Sequence, residues 1–130
     1  MIVDTSALVA ILKLEPERVP FAEILDRAES LRISAVTYLE MSIVMDSRRS
    51  PALSREVDEI IERFNVQIEP VTVEQAKIAR QAYRDYGRGS GHPANLNFGD
   101  CFSYALARDK REPILYKGDD FGHTDLRPAI

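Results

Sequence analysis

Four acidic positions, far apart in the chain, are the residues whose types could do chemistry: Asp4, Glu40, Asp100 and the Asp119–Asp120 pair. Asp100 is the most conspicuous. It interrupts "FGDCFSYALA" (98–107), whose other residues are what a packed α/β interior wants. An ionised carboxylate in such a setting costs several kcal/mol unless something pairs with it. Four carboxylates gathered together repel one another, and without a counter-charge some of them hold a proton. A hard divalent cation is the economical counter-charge, because it takes oxygen ligands. Mg²⁺ uses one or two carboxylates and keeps several waters, and Mn²⁺ suits the same donors. Zinc is not favoured: Cys101 is the only cysteine, and His92 and His123 stand alone as loop or surface histidines. Two ions roughly 4 Å apart would clamp the attacking and leaving oxygens of a displacement at phosphorus.

For this to work the elements must bring the acids to one rim. "MIVD" reads as a short buried strand, and "TSALVAILKL" as a helix capped by Thr5 or Ser6. "FAEILDRAE" is a second amphipathic helix after Pro16 and Pro20, and "LRISA" (31–35) a second strand. Thr37 and Glu40 have capping-box spacing and open the helix "YLEMSIVMDSR". "SREVDEIIERF" is helical, "VQIEPV" is a third strand stopped by Pro70, and Thr72 with Gln75 caps "EQAKIARQAYRDYG". The loop "GRGSGHPANLN" leads into the Asp100 helix, followed by the strand "PILY" and a turn-rich end. Strands alternating with helices predict an α/β sandwich with a mostly parallel sheet. In open parallel sheets, sites gather beyond the carboxyl ends of the strands. Asp4 and Asp119 follow strands 1 and 4, Glu40 follows strand 2, and Asp100 opens a helix after a loop, so all four acids can share that rim.

The chain has 130 residues, 45% hydrophobic and 29% charged, enough for one domain spanning 1–130 and too few for two. No apolar run approaches a membrane span, and the start lacks the basic head of a signal peptide. A lone cysteine leaves no internal disulfide and suits a reducing cytoplasm. A formal net charge of −4 argues against a nucleic-acid coat but leaves room for an enzyme acting on nucleic acid.

Each acid also has a plainer reading. Asp4 could be a helix cap, Glu40 the partner of Thr37, Asp100 a first-turn acid favoured by the helix dipole, and Asp119 and Asp120 turn residues after Gly118. Arg80, Arg84 and Arg88 fall on one side of a helix and could guide a nucleic-acid phosphate backbone, or could form a solvated face.

The blocks "MIVDTSALVAIL", "ISAVTYLEMSIV", "NFGDCFSYALA" and "ILYKGDDFGHTDL" resemble, in order and over nearly the whole chain, those of VapC-type toxins. These are PIN-domain ribonucleases of toxin–antitoxin pairs. The resemblance implies a three-layer α/β/α PIN fold and cleavage of RNA with Mg²⁺ or Mn²⁺. It implies Asp4, Glu40 and Asp100 as main metal-site acids, with Asp119 as the fourth. Relatives with Asn at that place and only the following Asp leave the division between Asp119 and Asp120 open. Thr5 or Ser6, following the first acid, would support the site. A VapB-type antitoxin and a homodimer are the implied partners. The expected reaction is attack of a metal-activated water on an RNA phosphodiester. Two other readings are a degenerate PIN scaffold that only binds a partner and a Mg²⁺-dependent phosphotransfer domain. A receiver would need an Asp after its third strand, where "VQIEPVT" has none, and a dehalogenase-like site would need Asp where Ser6 stands.

Overall fold

The computed structural model describes all 130 residues. Four strands, β1 (Ile2–Val3), β2 (Leu31–Ser34), β3 (Val66–Glu69) and β4 (Ile114–Leu115), pair in the order β3-β2-β1-β4. Every pairing is parallel, as the alternation of strands and helices predicts. Six helices connect them: α1 (Thr5–Leu12), α2 (Arg18–Arg27), α3 (Ala35–Asp46), α4 (Pro51–Arg63), α5 (Val73–Tyr86) and α6 (Phe98–Lys110).

The short central strands explain the layering. Successive side chains of a strand point to opposite faces. Val3 and Leu115 face a core with α1 to α4, where Leu8, Leu25, Met41, Met45 and Ile60 are buried. Their neighbours Ile2 and Ile114 face a second core, built with Leu96 and with Ala79, Ala82, Tyr104 and Leu106 of α5 and α6. Both faces of β1 and β4 are thus covered, which makes the structure an α/β/α sandwich. The amino terminus is tied down beside the sheet. The Met1 ammonium lies 2.5 Å from Glu112, and Glu112 also accepts from Arg32. No helix is long and apolar enough to cross a membrane.

Helix starts differ from expectation for local reasons. Asp4, not Thr5 or Ser6, caps α1, accepting from the Ser6 N–H. α2 begins before Pro20, because a proline in the first turn gives up an N–H that has no partner there. α4 begins at Pro51 behind a Ser50 cap, a start earlier than the expected "SREVDEIIERF". α3 begins at Ala35, so Thr37 lies inside the helix, fully buried, and the expected Thr37–Glu40 box does not form. At α5 the Thr72 side chain caps Gln75 N, while the Gln75 amide turns to Asp109 instead of completing a box. α6 carries a complete box that spacing alone did not single out: Asn97 Oδ1 accepts from Asp100 N and Asp100 Oδ2 accepts from Asn97 N.

Candidate active site

β1 ends at Val3, and the next residue is the first acid of the site. Asp4 is buried, and three donors hold its carboxylate. Oδ2 accepts from Ser6 N at 3.0 Å and Ser6 Oγ at 2.7 Å; Oδ1 accepts from Ser103 Oγ at 2.6 Å. The plainer reading of Asp4 as a helix cap therefore holds. Glu40 reaches the same rim from the second turn of α3. Thr5 Oγ1 donates to Glu40 Oε1 at 2.8 Å and shares its proton with the Thr37 carbonyl at 3.2 Å. On its other side Glu40 rests against Gly99, where there is no β-carbon to exclude it.

Asp100 follows directly. Its backbone box at the α6 N-terminus fixes the carboxylate, so the plainer reading as a first-turn acid also holds. Burial first, and then the charges of Asp4, Asp120 and Glu40, together push its pKa up to about 7 against the lowering hydrogen bond from Asn97 N. Glu40 is likewise raised, first by burial and then by Asp4, with the Thr5 hydroxyl opposing. Asp4, Glu40, Asp100 and Asp120 thus feel one another across a single rim. None of them has a Lys, Arg or His partner among the ion pairs of the molecule.

The Asp119–Asp120 pair divides. Gly118, at φ +103, turns the chain, and both aspartates are exposed. Asp120 acts on Asp100, whereas Asp119 is not among the charges that do so. Asp119 precedes a short 3-10 turn (Asp120–His123) without capping it. The loop is anchored behind these residues: Lys117 N donates to Ser6 Oγ at 2.9 Å, and Lys117 Nζ pairs with Glu15 and Glu17.

The donor set is entirely carboxylate and hydroxyl oxygen, which fits a hard divalent ion. No three acidic, His or Cys side chains close into a ready-made cage. An ion of the Mg²⁺ kind asks for less, because one or two carboxylates with waters and a substrate phosphate complete its shell.

The arginines do not stay together. Arg80 and Arg84 are exposed on α5 and line an apolar groove with Tyr83, Phe98 and Phe102. Arg88 lies beyond the end of α5, in a loop whose N–H bonds Leu96 O. Met41 and Met45 are fully buried and line no surface. Cys101 is buried and its thiol is pushed up to about 11 by burial and by Asp100, an inert group. His92 accepts from Ala94 N and packs edge-on to Tyr86, and His123 is exposed in the 3-10 turn.

Residue-type reasoning missed Ser103, Gly99 and the interior place of Thr37. One signal was available for Ser103. It lies three residues after Asp100, on a neighbouring helix face, and it is polar within an apolar run.

Comparison with known proteins bears on the family and the fold. A family model described as "PIN domain" matches residues 1–126. The chain is 58% identical over 130 residues to Ribonuclease VapC28 of Mycobacterium tuberculosis, covering 100% of this chain and 98% of that relative. It is 44% identical over 126 residues to Ribonuclease VapC30 of the same species, covering 97% and 95%. Among solved structures, Mycobacterium tuberculosis VapC20, described as a sarcin-ricin loop cleaving toxin, superposes with a TM-score of 0.73 at 20% identity. The alignment covers 98% of both chains. FitAcB of Neisseria gonorrhoeae gives 0.71 at 19% identity, covering 98% of this chain and 94% of its own. At those identities the likeness is one of fold.

Proposed function

The chain belongs to the PIN domain family and is of the VapC type, and from that premise we propose that it is a divalent-metal-dependent endoribonuclease, the toxin of a toxin–antitoxin pair. The observation that carries this reading is the rim itself. Acids at the end of β1, on α3, at the start of α6 and in the loop after β4 share one electrostatic environment and have no protein cation. The 58% identity to a named ribonuclease over the full chain supports the substrate class.

Asp4, Glu40 and Asp100 would hold the metal. Asp119 or Asp120 would complete the site, and the coupling to Asp100 favours Asp120. A divalent ion bound there supplies Lewis-acid stabilisation at a phosphoryl oxygen and acidifies a water. The protein's share is positioning. Ser6 and Ser103 fix Asp4, Thr5 fixes Glu40, and the Asn97 box fixes Asp100. Because no histidine stands in the rim, orienting the attacking water would fall to Glu40, whose carboxylate Thr5 Oγ1 holds in place.

The test is incubation of purified protein with total RNA, with Mg²⁺, Mn²⁺ or EDTA, followed by mapping of the cut ends. Cleavage with either ion and none with EDTA supports the reading, as does its loss in folded Asp4→Asn and Asp100→Asn variants. Full activity in those variants overturns the site assignment. A binding-only scaffold would show no cleavage under any condition.

The partner reading is a VapB-type antitoxin. Met41 and Met45 are core residues and offer no groove, but a surface cavity of about 500 Å³ lies between α1, α2 and α4. Ile11, Leu12, Val19 and Phe64 supply its apolar floor, and Arg18 and Glu23 its charged edge. An amphipathic helix fits such a groove. A second copy of the chain is the other expected partner. Leu39 and Ile43, exposed one turn apart on α3, offer it apolar surface, and sedimentation of the isolated chain decides whether they are covered.

A further inference from the structure

Behind the acidic rim runs a chain of buried hydroxyls that neither the composition nor the acid pattern announces. Thr37 and Ser103 have no solvent exposure, and their oxygens are 3.1 Å apart. Ser103 Oγ lies 2.6 Å from Asp4 Oδ1. A serine hydroxyl has one proton. Ser103 Oγ donates it to Asp4 Oδ1. Thr37 must then donate to Ser103. The direction of the chain is fixed: Thr37 to Ser103 to Asp4, each bond polarising the next.

Counting acceptors on Asp4 shows what this chain does. Each carboxylate oxygen has two acceptor sites. Ser6 fills both on Oδ2, with its N–H and its hydroxyl. Ser103 takes one on Oδ1. One site on Oδ1 is left. We propose that Ser103, itself held by Thr37, is a positioning residue that turns the Asp4 carboxylate so that Oδ1 keeps a single open acceptor site for a divalent cation. This inference rests on the metal-dependent reading given above and deepens it.

The geometry has a clear origin in the sequence. Ser103 sits one turn along α6 from Gly99 and Asp100, so the helix that delivers the third acid also buttresses the first. Thr37 sits one turn before Glu40 on α3, so the helix that delivers the second acid supplies the far end of the hydroxyl chain. Two of the acid-bearing helices therefore each contribute one hydroxyl to the chain that ends on Asp4. Without Ser103, Asp4 would keep only the donors on Oδ2, and rotation about its terminal torsion would be freer. Partners that orient a metal ligand in this way are worth about 10–100-fold in metal affinity.

The test uses Mn²⁺ as probe and the full chain without RNA. Binding is read by titration calorimetry and by the rise in melting temperature that Mn²⁺ produces over each variant's own metal-free value. Ser103→Ala is expected to weaken Mn²⁺ binding about 10–100-fold. Thr37→Val, which keeps the side-chain shape, is expected to weaken it less. Because Thr37 acts through Ser103 alone, the double variant should bind no more weakly than Ser103→Ala. Unchanged affinity in Ser103→Ala overturns the inference, and so does a double variant whose loss is the product of the two single losses. If Ser103→Ala does not fold, Thr37→Val decides, with unchanged affinity counting against. Absence of Mn²⁺ uptake by the unaltered chain overturns the metal reading and this inference with it, which separates the two failures.

Discussion

The Glu40 carboxylate occupies the space that a β-carbon on residue 99 would need: an alanine there would press on its oxygens and come within 2.8 Å of Cδ. The obstruction is the far end of a flexible side chain, so Glu40 can swing away. Gly99→Ala also gains up to about 1 kcal/mol of helix propensity inside α6. The expected outcome is a folded protein, at least as heat-stable as the original, whose RNA cleavage falls about 10²-fold through misplacement of one acid. Parallel melting curves and cleavage rates check it; retained activity would mean that Glu40 does not need this position.

Asp100 makes stability depend on pH in an unusual direction. Its native pKa, about 7, lies above the ordinary 3.8, so between those values the folded state binds more protons than the unfolded one. Stability of the metal-free protein from this group is therefore highest below the ordinary value and declines as pH rises toward 7. Glu40, also raised, adds to the decline. Urea midpoints measured in EDTA from pH 4 to 8 should fall across that window, and Asp100→Asn should flatten the fall. The same proton must leave before a cation is held, so Mn²⁺ affinity should climb with pH over that range.

Ser6 connects the first acid to the loop that carries the fourth. Its hydroxyl donates to Asp4 Oδ2 and accepts from Lys117 N. Lys117 is partly exposed, and water can replace the lost acceptor, so Ser6→Ala should cost about 1 kcal/mol or less in stability. Cleavage should fall about 10–100-fold, because Asp4 loses a donor and the Asp120 loop loses its tether. Comparable losses of stability and activity would show that Ser6 serves the fold alone.

Much of this was legible in the sequence because it followed from topology. A strand ending in Asp4, a helix opening at Asp100 and parallel crossovers between them fix which ends of the sheet the acids share. What was not legible depends on side-chain direction. The spacing of Thr37 and Glu40 matches a capping box, but the helix starts three residues earlier, so the same spacing became two groups on one face of a helix interior. Asp119 and Asp120 are adjacent in sequence, and only the turn at Gly118 decides which of them meets Asp100. The Ser103 hydroxyl bonds a residue 99 positions away, a contact that no local pattern encodes. Arg88 left its expected helix face because α5 stops at Tyr86, where Gly87 begins a loop.

A cation that binds only the folded protein stabilises it by mass action, about 2.7 kcal/mol when its concentration is a hundred times its dissociation constant. The rim has four mutually repelling carboxylates and no protein counter-charge, so relief of that repulsion adds to the effect. Saturating Mg²⁺ or Mn²⁺ should therefore raise the melting temperature of the unaltered chain by several degrees. In an Asp4→Asn/Asp100→Asn double variant the metal-free protein should be relieved of repulsion already, and the same ions should add little. Differential scanning of both proteins, with and without ion, checks the pair of expectations. An equal rise in both would place the bound cations somewhere other than this rim.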